Sequence, residues 1–144
     1  MSDPSAGLAE RLRVICLALP EVTERPSHGE PTWFIRGKVT FVTFADHHHD
    51  DRLAFWCAAP AGAQEMLVAA DPERFFRPPY VGMRGWIGVY LDVRKVDWDE
   101  IADLIADAYR EVAPKRLIAE AEAQLETMRH AAGGTSTSTS APGS

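Results

Sequence analysis

The chain has 144 residues, of which 46% are hydrophobic and 25% charged, and its formal net charge is −6. That composition excludes a mainly disordered chain, and the length suits one ordinary domain with its own core. The acidic balance opposes nucleic acid and anionic membranes unless basic residues gather on one face.

Asp3 and Pro4 form an N-cap and first-turn pair, and Leu8, Leu12, Ile15 and Leu19 recur at helical spacing behind them. Pro20 ends that first helix. Residues 32–36 and 39–45 are rich in β-branched and aromatic side chains and read as strands. Gly37 and Lys38 fit a tight hairpin turn between them. His47, His48, His49, Asp50 and Asp51 make a polar connection, and residues 53–57 a further strand. Short loops between these runs favour an antiparallel meander.

Residues 60–70 read as a short helix with Met66 and Leu67 turned inward. Residues 73–85 read as irregular, broken by Pro78, Pro79, Gly82 and Gly85. Residues 86–91 alternate and form the last expected strand. Asp97, with Glu100 three residues on, has the spacing of a reciprocal capping box. Ile101, Leu104, Ile105, Ala108 and Val112 give the following helix its apolar stripe. After Pro114, a last helix is expected through Leu117, Ala121, Leu125 and Met128. Residues 133–144 lack the apolar side chains to fold. The order implies an α+β class: one domain over residues 1–131, with an antiparallel sheet packed against N- and C-terminal helices, and a disordered tail over 132–144.

Cys16 and Cys57 lie far apart and belong to no Cys-x-x-Cys pair. The first residues are polar, without a signal peptide, and no apolar run nears the roughly 20 residues of a spanning helix. The expectation is a cytoplasmic protein with reduced thiols and no membrane partner.

Three places carry chemistry-bearing side chains. His47, His48, His49 and Asp51 offer metal-ligand types, yet neighbours on an extended chain point apart, so a solvated turn is the plainer reading. His28 beside Glu30 has the makings of an acid–base pair, but no nucleophile stands near it in sequence. The third place is residues 74–90, with Arg74, Phe75, Phe76, Arg77, Tyr80, Arg84, Trp86 and Tyr90. It is the one internal stretch of positive balance and also the most aromatic. Arginine with aromatics suits phosphates, bases or a flat anionic ligand. Strand parity puts Trp56 on a face opposite Leu53, Phe55 and Cys57, and Trp86 and Tyr90 opposite Ile87, Val89 and Leu91. If helices cover the aliphatic face, those aromatics line the other.

The pattern resembles the MmcQ/YjbR family over residues 8–118. The resemblance rests on Leu19, Pro20 and Glu21 after the first helix, the Gly37 and Lys38 hairpin, and the pair Arg84 and Trp86. Residues 86–92 and the helix from Asp97 through Tyr109 to Lys115 complete it. It implies a small frataxin-like α+β fold and a DNA-binding label. Gly85 stands where many members carry a histidine between the basic residue and the tryptophan.

The leading expectation is therefore a non-enzymatic binding protein with weak DNA binding. Arg36, Lys38, Arg74, Arg77 and Arg84 would meet phosphate, and Tyr80, Trp86 or Tyr90 would stack. The alternative is a small-molecule binder, of drug-sequestering or resistance type, with an aromatic pocket on the sheet. A metal-dependent enzyme around His28 and residues 47–51 is the remote alternative. No catalytic residue, cofactor or metal is assigned.

Overall fold

A computed structural model describes the backbone of residues 4–46 and 52–140 and the side chains of residues 6–46 and 52–128. The cap expected at Asp3 and the polar run 47–51 lie outside the described residues. Two compact units divide the chain, residues 1–113 and 114–144.

In the first unit, helix α1 (Pro4–Leu17) is followed by strands β1 (Val22–Ser27), β2 (Glu30–Ile35), β3 (Val39–Asp46) and β4 (Leu53–Cys57). Helix α2 (Ala63–Ala70), strands β5 (Phe75–Phe76) and β6 (Ile87–Tyr90) and helix α3 (Trp98–Val112) complete it. The six strands form one antiparallel sheet in the order β1-β2-β3-β4-β6-β5. The fold is α+β, as expected. Helix α1 packs on β1, β2 and β3, and α3 on β3 and β4.

Two strands go beyond the expected set. β1 is an edge strand of polar residues, with Pro26 opposite Pro31, and prolines are tolerated at an edge. β5 holds only Phe75 and Phe76, too short for any periodicity to show, and it lies inside the stretch read as irregular. The turns also differ. His28 and Gly29 both have positive φ (53° and 84°), so they are the two-residue turn joining β1 to β2. Arg36 and Gly37 do the same between β2 and β3, with φ of 57° and 67°. Lys38 is thus the first residue past that turn, its amide donating to Ile35 O. The hairpin sits one residue earlier than expected.

β3 carries a bulge. Trp33 pairs with Val42 but Phe34 with Thr40, so Phe41 is the extra residue. Phe41 and Val42 both turn to the helix face and are fully buried, Phe41 edge-on to Tyr109 of α3. Thr40 and Thr43 consequently share the opposite face although three residues apart.

The core lies between the sheet and the two helices, with Leu12, Cys16, Trp33, Phe41, Phe55, Ile87, Ile105 and Tyr109 fully buried. In α1 the buried face is Ala9, Leu12 and Cys16, while Leu8 and Ile15 are only half-buried and Leu19 lies beyond the helix. Tyr109 donates its hydroxyl to Pro20 O at 2.8 Å, anchoring the turn after α1. Burial pushes both cysteine thiols up, Cys57 to about 12, so both are held as neutral thiols.

The N-cap of α3 is Asp97, accepting from Glu100 N at 3.1 Å. The return half of the expected capping box is replaced: the Glu100 carboxylate takes the Arg74 guanidinium. Met66, expected inward on α2, is 65% exposed, and the residue that helix buries is Gln64.

The second unit is helix α4 (Lys115–Ser140). Pro114 O accepts from the amides of Leu117 and Ile118 at its start. Its backbone continues through the Gly133–Ser140 stretch for which composition predicts no structure. No helix among the described residues is long and apolar enough to cross a membrane.

Candidate ligand-binding groove

The sheet face away from α1 and α3 is built by cross-strand register. Thr32 pairs with Thr43, Thr43 with Trp56 and Trp56 with Gly88, so these residues line up across four strands. Phe76 pairs with Gly88 from the other side. Its ring lies over the glycine: a Cβ at residue 88 would stand 2.3 Å from Phe76 Cζ. Only glycine permits that approach. Phe76 in turn stacks on Tyr90 at 4.5 Å between ring centroids, and the Arg52 guanidinium covers Tyr90 at 3.7 Å. Arg52 is held by Asp92 at 2.7 Å.

Beside this stack the face opens into a groove of about 740 Å³. One wall is the sheet, with Thr32, Thr40, Thr43, Ala45 and Trp56, and the other is the segment of Tyr80, Val81, Arg84 and Trp86. Ser27, His28 and Glu30 at the first hairpin and Lys38 and Val39 at the second close its ends. The volume is in the range of small-molecule sites.

The second wall is tied down by one buried side chain. Gln64 of α2 donates its amide to Gly82 O at 2.8 Å and also to Trp86 O. A 3-10 turn at Gly82–Arg84 is stopped by Gly85, whose φ of 85° suits glycine. Gly85 is therefore the turn-closing residue in the place where the family resemblance leads one to look for histidine. Tyr80, at φ 66° and 87% exposed, stands at the groove mouth in a backbone conformation bulky residues rarely adopt.

The two indoles that line the groove, one from each wall, are largely buried: Trp56 is 9% exposed and Trp86 5%. Trp56 has a further property. Its indole N–H is buried and has no hydrogen-bond partner among the described residues. A buried donor left unpaired costs about 1–3 kcal/mol, and most buried polar groups are satisfied. Trp33, by contrast, donates to Glu24 at 3.0 Å.

The eight residues singled out in sequence divide between two fates. Lys38, Tyr80, Arg84 and Trp86 line the groove, Arg84 with its guanidinium 5.6 Å from the Trp86 ring centroid. The other four do not. Arg36 pairs with Glu21 at 3.1 Å. Arg74 is bound by Asp71 at 2.6 Å and by Glu100, lies over Phe75, and has its charged form stabilised by those carboxylates. Arg77 lays its side-chain stem against Gly82, and Tyr90 belongs to the Phe76 stack. His28 and Glu30 reach the groove as rim residues, and among the described residues no cluster of three His, Cys, Asp or Glu side chains suits a metal. The expectations for His47, His48, His49 and Asp51 fall outside the described residues.

Sequence reasoning missed the threonines. Thr32 was legible from strand alternation, but the pairing of Thr40 with Thr43 on one face depends on the bulge at Phe41.

Comparison with known families matches the family model described as YjbR to residues 17–111. The chain belongs to the YjbR family. The matched YjbR segment begins at the last residue of α1 and ends within α3, so it contains the whole sheet and the groove. A similar fold is seen in a crystal structure of the Deinococcus radiodurans protein DR2400, with its DUF419 domain. That protein is 18% identical, superposes with a TM-score of 0.63, and the match covers 82% of this chain and 87% of that one. At that identity the likeness is one of fold. No curated protein matches this YjbR chain.

Proposed function

We propose that this YjbR-family protein is a non-enzymatic binding protein for a planar small molecule, held in the groove between the sheet and the Tyr80–Trp86 segment. The observation that carries the reading is the juxtaposition of two largely buried tryptophans, Trp56 and Trp86, in the lining of a 740 Å³ groove. Flat aromatic surface favours stacking against a flat ligand, and a few polar groups orient it. The alternative of a DNA surface draws less support. Two of its five basic residues, Arg36 and Arg74, are committed to carboxylates. A concave slot also admits one planar group, where a duplex needs a continuous cationic track.

The test is isothermal titration with neutral planar aromatics, 2-naphthamide first, on the wild type and on Thr43→Tyr. Tyrosine suits a strand and fills the groove from its sheet wall. Saturable one-to-one binding in the wild type, lost in a folded Thr43→Tyr, supports the reading. Failure to bind any planar aromatic, together with salt-sensitive binding of a short duplex that Thr43→Tyr leaves intact, would replace it with the DNA reading.

A further inference from the structure

The rim of the groove is locally more basic than the chain as a whole. The protein carries a net charge of −6. Yet among the described residues two cations, Lys38 and Arg84, line the groove beside one carboxylate, Glu30. Lys38 and Arg84 are both exposed, and neither has an ion-pair partner among the described residues. Of the nine other arginines of the first unit, five are in ion pairs: Arg13 with Glu10 and Glu24, Arg36 with Glu21, Arg52 with Asp92, Arg74 with Asp71 and Glu100, Arg110 with Asp107. Two exposed cations thus stand at the mouth of the aromatic slot. They come from different elements, the start of β3 and the turn before β6, so the sheet and the facing wall each contribute one.

The interior has the complementary property. Trp56 and Trp86 line it from its two walls, and its sheet wall carries the hydroxyls of Thr40 and Thr43. Thr32 is less available, since its hydroxyl donates to Glu30 O at 3.1 Å. A ligand that satisfies this interior needs a flat apolar body and a hydrogen-bond acceptor. A ligand that satisfies the rim needs negative charge. One class meets both demands.

Resting on the groove reading above, we propose that the ligand is a planar aromatic acid: its ring system lies against Trp56 and Trp86, and its anionic group pairs with Lys38 and Arg84. Two exposed cations suit a single anionic group. Arginine and lysine here act at a partly screened surface, so the pairing sets selectivity more than total affinity. Most of the binding energy comes from the aromatic floor.

The experiment is titration calorimetry with three probes of one shape: 2-naphthoate, 2-naphthamide and 2-naphthylmethylammonium. The expected order is acid tightest, by at least tenfold over the amide, with the ammonium weakest. In Lys38→Gln/Arg84→Gln, exposed positions whose change leaves the core alone, the acid-to-amide ratio falls to within twofold. In 500 mM salt the acid loses affinity and the amide does not, because only the charged contact is screened. If the amide or the ammonium binds as tightly as the acid, the proposal of an acid ligand is overturned while the groove remains a binding site. If the acid preference is present but survives in the double variant, the assignment to Lys38 and Arg84 is overturned. If all three probes fail to bind, the groove reading falls and this proposal with it.

Discussion

Gln64 reaches from α2 to the backbone of Trp86, and the same amide also holds Gly82, so one buried side chain fixes both ends of the groove's outer wall. Gln64 is the single side chain that α2 buries. Its replacement by leucine keeps the volume and removes both donors. Gln64→Leu is expected to destabilise the fold by about 2 kcal/mol, since two buried carbonyls lose their partner. Urea denaturation measures it. An unchanged midpoint would mean that the wall does not depend on this amide.

Gly88→Ala sets a methyl group 2.3 Å from the Phe76 ring. The ring must leave its place over β6, and with it the stack on Tyr90. Overpacking of this kind costs about 1–3 kcal/mol. Thermal melting of Gly88→Ala with and without Phe76→Leu separates the causes: the second change should recover part of the loss if the clash is the source.

Asp97→Ala removes the α3 cap and should cost about 1 kcal/mol. Glu100→Gln tests a different contact. Because Glu100 binds Arg74 rather than the amide of Asp97, its loss should weaken the tie between α3 and the β5 region and leave the cap intact. If the two losses add in the double variant, the contacts are independent; coupling above about 0.5 kcal/mol would indicate a working capping box.

How far the sequence discloses this molecule depends on the length of each signal. The stripe of α3, with Ile101, Ile105 and Ala108, runs for four turns and was legible; so was the Asp97 cap. Strand parity was legible in β4 and β6, which are regular: Trp56 shares its face with Gly88 and Tyr90, while Trp86 stands just before β6. Three things were hidden. β5 has two residues and no period. The bulge at Phe41 brings Thr40 and Thr43 together against strict alternation. The inward turn of Gln64 in place of Met66 follows from carbonyls at Gly82 and Trp86, distant in sequence, that need a donor. The basic residues were visible as a cluster, but which of them are spent on Glu21, Asp71 and Glu100 is a tertiary fact.

The Arg13 guanidinium holds the Glu24 carboxyl below its ordinary value of 4.5, and the Trp33 indole adds a further hydrogen bond, against the opposing effect of burial. A carboxyl whose folded value is depressed adds stability above the unfolded value and loses it as pH falls through the folded one. Wild-type stability should therefore decline below about pH 4.5. Glu24→Gln should be less stable at pH 7 by about 1–2 kcal/mol, and the gap should close as the pH falls. A gap that stays constant down to pH 3 would exclude Glu24 as the titrating group.

The most direct test of the groove uses the four indole N–H protons as reporters. Trp33, Trp56, Trp86 and Trp98 each give one resonance, assigned by single Trp→Phe variants. Titrating 15N-labelled protein with 2-naphthoate should move the Trp56 and Trp86 signals together along one saturable curve. Trp33, bonded to Glu24 on the helix side of the sheet, should stay in place. Movement of Trp33 or Trp98 with Trp56 and Trp86 still would contradict the account and put the binding surface elsewhere.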